Sequence, residues 1–289
     1  MPAVAETITG IRALIAEEKS RLAAAGTLSP RVSLVATMGA LHAGHLALVK
    51  RAKKRGDIVV VSIFVNPTQF SPTEDLTRYP RDLAADLRAL KGTGTTFVFA
   101  PAPAEMYPHG TTDTIVSSGR VGGLFEGRTR AGHFDGMLTV VTKLANIIRP
   151  DVMVFGQKDA QQAFLVNRML TDLNFPISFE VVPTVREEDG LALSSRNRFL
   201  DERERRAAIV LAHMLEAAGS AADLGIDAVI AAAQSVSMGE PLVTVDYFGV
   251  VNPATFLPVD DDYRGPATAI VAARVGATRL IDNEGIYLA

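Results

Sequence analysis

The residues best suited to chemistry begin with two histidines, His42 and His45, in the run Thr37-Met-Gly-Ala-Leu-His42-Ala-Gly44-His45. Residues 32–36 predict a short buried strand and residues from 42 onward a helix, so the run lies where a strand hands over to a helix. Gly39 and Gly44 let the backbone approach a ligand closely. A helix N-terminus favours anions, and imidazole N–H donors beside it can follow the charge that builds at a phosphorus under attack. That chemistry suits the triphosphate of ATP. The plainer alternative has one histidine capping the turn and the other packed or solvated. A zinc reading lacks a third ligand, because the sequence offers no cysteine and no histidine cluster.

Three further segments carry comparable potential. Phe155-Gly156-Gln157-Lys158-Asp159-Ala160-Gln161-Gln162 closes another predicted strand and opens a helix, so that Lys158 can present a point charge to phosphate and Asp159 can cap the helix. Ser194-Ser195-Arg196-Asn197-Arg198, just after Asp189-Gly190, offers two hydroxyls and a guanidinium fork to a departing pyrophosphate. Phe64-Val-Asn66-Pro67-Thr-Gln69-Phe70 sets the amides of Asn66 and Gln69 against an apolar wall of Phe64 and Phe70, a combination suited to a small polar substrate. Gly122, Gly123, Gly127 and Gly132 within 120–133 read as a mobile flap. Asp82 and Asp86 fall on a predicted helix, where a solvated face is expected for both. Taken singly, each segment also reads as a polar turn or solvated loop, and what joins them is their common placement at strand ends.

The elements needed to position these residues follow from periodicity. Residues 6–25 carry Ile8, Ile11, Leu14, Ile15 and Leu22 at helical spacing; 58–65 is a mostly β-branched run, broken by Ser62 and Phe64, of the kind a parallel strand buried on both faces requires. Helices over 82–90, 137–148 and 160–173 alternate with strands at 97–100, 114–116 and 152–155. This alternation predicts an α/β fold, a Rossmann-like parallel sheet whose ligands sit beyond the C-terminal strand edges. From about 185 the pattern changes to helices at 201–218 and 225–236 and strands at 243–250, 267–273 and 278–282. The expected division is therefore a Rossmann-like ATP- and substrate-binding domain over 1–184 and a smaller, lid-like α+β domain over 185–289.

Composition narrows the function. Lys and Arg number 29 against 32 Asp and Glu, a formal charge of −3 that gives no general attraction to nucleic acid. With no cysteine, disulfides, thiolate metal sites and a Cys nucleophile are excluded. No apolar run reaches the length of a membrane span, and the opening Met1-Pro-Ala-Val-Ala-Glu-Thr lacks a secretory or transit pattern, so a cytoplasmic location and no membrane partner are expected.

Read in order, these segments resemble the pantothenate synthetase family, within the nucleotidyltransferase superfamily whose mark is a His-x-Gly-His turn. The resemblance runs from the Thr37 turn through Asn66-Pro67-Thr-Gln69-Phe70, Arg130-Ala-Gly-His-Phe134 and Gly156-Gln-Lys-Asp-Ala-Gln-Gln162 to Asp189-Gly-Leu-Ala-Leu-Ser-Ser-Arg-Asn-Arg198. It implies an enzyme that activates pantoate with ATP as pantoyl adenylate and joins it to β-alanine, releasing AMP and pyrophosphate. By that likeness His42, His45, Lys158, Ser194, Ser195 and Arg196 are catalytic. Met38, Gly39, Gly156, Gln157, Asp159, Val185 and Leu193 complete the ATP site with them. Gln69 and Gln162, with Phe64 and Asn66, hold pantoate. The resemblance further implies a Mg²⁺-dependent cytoplasmic homodimer, and assigns no protein ligand to the metal. Ala36 stands where the family usually has Pro, and Ala43 and Gln157 where it often has Glu. A nucleotidyltransferase with a phosphorylated second substrate, a fragment of an aminoacyl-tRNA synthetase and a non-catalytic nucleotide-binding protein are the competing readings. Dependence on an amine and turnover of ATP separate them.

Overall fold

A computed structural model of the chain describes residues 1–70, 76, 79–110 and 112–289. It divides into two compact units: Met1–Gly156 with Leu165–Val182, and Gln157–Phe164 with Pro183–Ala289.

In the first unit the chain runs β1 (Ala3–Ala5), α1 (Ile8–Ala24), β2 (Val32–Thr37), α2 (Ala43–Arg55), β3 (Ile58–Ile63), α3 (Leu83–Ala89) and β4 (Phe97–Phe99). Short helices α4 (Pro103–Met106), α5 (Gly119–Gly122) and α6 (Glu126–Thr129) lead to α7 (His133–Ile148) and β5 (Val152–Gly156). Helix α8 (Ala160–Asp172) belongs to this unit from Leu165, and β6 (Ser178–Val182) closes it. The strands form one parallel sheet in the order β1-β4-β3-β2-β5-β6. The chain builds outward from β2 through β3 and β4, then returns to β5 on the other side of β2. This makes the β2/β5 junction the topological switch point, where a doubly wound sheet opens a crevice beyond its C-terminal strand edges.

Burial explains which elements were legible. Five of the six residues of β3 are buried, as its apolar run, interrupted only by Ser62, requires. Helix α7 buries 12 of its 16 residues, the behaviour of a helix apolar nearly all round. In contrast β6 buries none of its five residues fully, so no hydrophobic pattern announces it, and β1 is only three residues long. The strand expected over 114–116 does not form: the Val116 N–H donates to Thr139 Oγ1 of α7 at 3.0 Å instead of to a neighbouring strand.

The second unit pairs β7 (Val243–Val251), β8 (Gly265–Val275) and β9 (Thr278–Leu288) in an antiparallel sheet. Helices α9 (Glu202–Ala207), α10 (Val210–Ser220) and α11 (Ile226–Met238) precede it. Leu211, Met214, Val229, Ala269 and Val271 pack in its core. Among the described residues no helix is long and apolar enough to cross a membrane.

Candidate active site

The Thr37–His45 run occupies the C-terminal end of β2, beside the end of β5, at the switch point. Thr37 starts the turn: its Oγ1 donates to the Ser62 carbonyl on β3 at 2.8 Å and accepts the Gly39 N–H at 3.2 Å. Gly39 (φ 82°) and Ala40 (φ 52°) then turn the chain through the left-handed region. A Cβ on Gly39 would lie 2.8 Å from Asp86 Oδ2 and 3.1 Å from Ile63. This glycine answers to close packing as well as to φ.

Asp86 is the residue that sequence reasoning misplaced. It lies on α3, only 4% exposed, and its two carboxylate oxygens accept the N–H groups of Ala40 (3.2 Å) and Leu41 (2.8 Å). The expected solvated face is instead a buried brace for the histidine turn. Asp82 caps the same helix by accepting the Ala85 N–H at 2.9 Å.

His42 is the N-cap of α2, accepting the Gly44 N–H at Nδ1 (3.2 Å), while His45 Nδ1 accepts the His42 N–H at 3.3 Å. This capping box, made of two imidazoles, holds the ring centroids 4.1 Å apart. The capping alternative and the ligand reading are therefore compatible: with both Nδ1 atoms accepting, each neutral ring carries its proton on Nε2, a donor suited to a phosphate oxygen. Met38 is partly buried in the same turn.

The loop after β3 is held from inside. Asn66 is fully buried; its Nδ2 donates to Gln69 Oε1 (3.1 Å) and to the Gly136 carbonyl (3.2 Å), and its Oδ1 accepts from the Tyr107 hydroxyl (2.7 Å) and Thr68 Oγ1 (3.0 Å). Asn66 thus orients the Gln69 carboxamide and presents no accessible surface of its own. Phe64 is 5% exposed, beside the Tyr107 ring at 6.2 Å. His133 supports Gln69 from the other side through Nδ1 and the Gln69 carbonyl at 2.7 Å, and Arg130 meets His133 Nε2 at 2.9 Å. An arginine can only donate, so Nδ1 carries the proton of this neutral ring. Within 120–133, a Cβ on Gly127 would collide with the Gly122 carbonyl oxygen. That glycine allows two chain segments to touch, a role that glycine content alone does not distinguish from flexibility.

In the second unit, Gln157, Lys158 and Asp159 form a 3₁₀ turn that runs into α8, with Lys158 and Gln162 partly buried and Asp159 exposed. Val185 to Leu193 make a tight hairpin: the Leu193 N–H donates to the Val185 carbonyl at 2.9 Å. Arg186 at its base pairs with buried Asp282 of β9 at 2.6 and 3.1 Å. Burial alone would push the Arg186 guanidinium down, yet Asp282, joined by Glu284, holds it above its ordinary value. At the other end of the hairpin, Ser194 Oγ caps the following turn by accepting the Arg196 N–H at 3.2 Å. Ser195 and Arg196 are partly buried in that turn. Lys158, Ser194, Asn197 and Asp282 line one small cleft. The structure therefore gathers His42, His45, Met38, Gly39 and Gly156 at one sheet edge of the first unit, and Lys158 with Ser194 around one cleft of the second.

The chain matches the family model described as pantoate-beta-alanine ligase over residues 3–285. It is 59% identical over 258 residues to the pantothenate synthetase of Leifsonia xyli subsp. xyli, a match spanning 89% of this chain and 90% of that one. To the pantothenate synthetase of Thermobifida fusca it is 50% identical over 267 residues, again 89% and 90% of the two chains. The crystal structure of pantothenate synthetase from Thermus thermophilus matches with a TM-score of 0.88 at 43% identity, covering 98% of both chains. That of pantoate-beta-alanine ligase from Francisella tularensis, complexed with beta-gamma ATP and beta-alanine, matches with a TM-score of 0.78 at 30% identity over 98% and 97% of the chains. A Rossmann-like fold, a histidine turn at its switch point and matches of this extent have one reading: the chain belongs to the pantoate–β-alanine ligase family.

Proposed function

We propose that this chain catalyses the ATP-dependent condensation of pantoate with β-alanine through a pantoyl adenylate, with the residues above in the following roles. The observation that carries the assignment is the two-histidine capping box at the β2/β5 switch point, which sets two imidazoles beside the N-terminus of α2. A pantoate carboxylate oxygen attacks the α-phosphorus of ATP, and the bond to the β-phosphate breaks to release pyrophosphate. The β-alanine amine then attacks the acyl carbon, loses a proton and expels AMP. No protein nucleophile enters either step. Catalysis then rests on positioning, worth about 7–11 kcal/mol in well-oriented reactions, and on donors set in advance where charge develops.

His42, His45, Lys158, Ser194, Ser195 and Arg196 are assigned to the ATP phosphates. Met38, Gly39, Gly156, Gln157, Asp159, Val185 and Leu193 are assigned to the rest of the nucleotide. Gln69 and Gln162 hold the pantoate oxygens with Phe64 as apolar wall, while Asn66, fully buried, orients Gln69. Among the described residues no group of three or more His, Cys, Asp or Glu is arranged to hold a metal ion. The imidazole, ammonium, hydroxyl and guanidinium donors suit phosphate, not a cation. Mg²⁺ is proposed to accompany ATP, as this ion is usually bound largely through phosphates and water, and no protein ligand is assigned to it. The active form is proposed to be a cytoplasmic homodimer, and a solution mass near that of one 30.8 kDa chain would rule the dimer out.

The test follows AMP and pyrophosphate from purified protein given MgATP and pantoate, with and without β-alanine. AMP that requires β-alanine and matches pyrophosphate is expected. Pyrophosphate without β-alanine-dependent AMP would leave an adenylating nucleotidyltransferase, and silence in both channels would end the assignment.

A further inference from the structure

The last strand of the chain reaches the proposed phosphate-binding lysine. Asn283 of β9 is 3% exposed, and its Nδ2 donates to the main-chain carbonyls of both Gln157 and Lys158 at 2.9 Å. Its Oδ1 in turn accepts from Gln157 Nε2 at 2.9 Å. Both donors of the carboxamide are engaged, so no other side chain of this shape satisfies the same three partners. The Asn283 N–H donates to Asp282 Oδ1 at 2.8 Å, and Asp282 is gripped by Arg186, which also donates to the Gly190 carbonyl at 3.1 Å. One buried dipeptide, Asp282-Asn283, therefore fixes the Lys158 turn through one side chain and the hairpin leading to Ser194 through the other.

We infer that Asn283, locked to Gln157 by a reciprocal amide pair, is a positioning residue for Lys158 and sets the affinity of the enzyme for the ATP phosphates. The inference rests on the assignment of Lys158 to phosphate made above. It gives Gln157 a meaning in this chain, whose resembling family often has Glu there: a carboxylate cannot donate to Asn283 Oδ1, and would face it as a second acceptor.

Steady-state constants for ATP, pantoate and β-alanine, with melting temperatures, are to be measured for Asn283→Asp, Gln157→Glu, Asn283→Ala, Gln157→Ala, the double alanine variant and Lys158→Ala. Asn283→Asp and Gln157→Glu are expected to raise KM for ATP about tenfold or more, with KM for pantoate and β-alanine within about twofold, the scale expected when one ligating group is misplaced. The double alanine variant should be little worse than Asn283→Ala alone, as coupled partners behave. Wild-type ATP constants in both charged variants would overturn the inference, and so would parallel changes in all three KM values with a lowered melting temperature, since those mark a general structural role. Should Asn283→Asp not fold, the coupling between Asn283→Ala and Gln157→Ala in the double alanine cycle decides, with additive effects on ATP KM overturning the inference. If Lys158→Ala responds while both charged variants do not, the phosphate assignment stands and the Asn283 role falls. If Lys158→Ala leaves ATP binding unchanged, both fall.

Discussion

His45 caps the turn and, in the proposed mechanism, also acts on the phosphates. Its Nδ1 closes the capping box on His42, and in the proposed site the other face of the ring is assigned to the ATP phosphates. Replacing His45 or Lys158 by Ala is expected to slow pantoyl-adenylate formation about 10²-fold, the scale of removing one donor aimed at developing charge. Single-turnover formation of adenylate from MgATP and pantoate measures this, and an unchanged rate would remove either residue from the phosphate site. Gln69 makes a different prediction. Its carboxamide is buried and preset by Asn66, so Gln69→Ala should mainly raise KM for pantoate, by about tenfold or more, because a site built around hydroxyl partners discriminates sharply when those partners are lost. Titration of ATP and pantoate separately checks it, and an effect confined to ATP would move Gln69 to the other substrate.

At the level of elements, α3 matters more to the proposed site than its modest length of seven residues suggests. Through Asp86 it holds two consecutive amides of the turn that carries the histidines. An Asn at that position has only one acceptor oxygen, so its NH₂ would oppose one of those N–H groups, at a cost of roughly 1–3 kcal/mol for the buried group left unpaired. Asp86→Asn is therefore expected to lower the melting temperature and to slow adenylate formation by roughly one to two orders of magnitude, the penalty of moving catalytic groups by about 1 Å. Pantoate KM should change little. Pyrophosphate–ATP exchange with a melting curve reads all of this, and wild-type exchange would show that the turn does not need the brace.

For the whole molecule, pH enters through Tyr107. Burial pushes its hydroxyl above the ordinary tyrosine value of about 10, and that hydroxyl donates to Asn66 beneath the Gln69 loop. The folded state thus holds the proton more tightly than the unfolded chain does. The resulting stability is fully present below about pH 10 and is lost as pH rises through the higher folded value. Urea midpoints should fall more steeply above about pH 10 in the wild type than in Tyr107→Phe. The chain has five tyrosines and no tryptophan, so tyrosinate absorbance can follow the late-titrating group directly, and equal slopes in the two proteins would refute the coupling.

How much of this could be read from the chain alone depends on the range of the forces involved. Local signals sufficed for β3, apolar but for Ser62, for α7, and for the strand-to-helix placement of His42, His45 and Lys158, because periodicity and turn chemistry act within a few residues. They also sufficed for the family, since motifs in fixed order carry that information. The sequence by itself could not place β6, whose residues are all at least partly exposed, nor separate a glycine that bends from one that lets Gly122 and Gly127 touch. Only the tertiary structure turned Asp86 from a surface acid into the brace of the histidine turn, 46 residues away in the chain. It also set Asn283 against Lys158, 125 residues away. Buried polar groups must find partners wherever the fold brings them, and no spacing along the chain encodes which distant backbone group that will be.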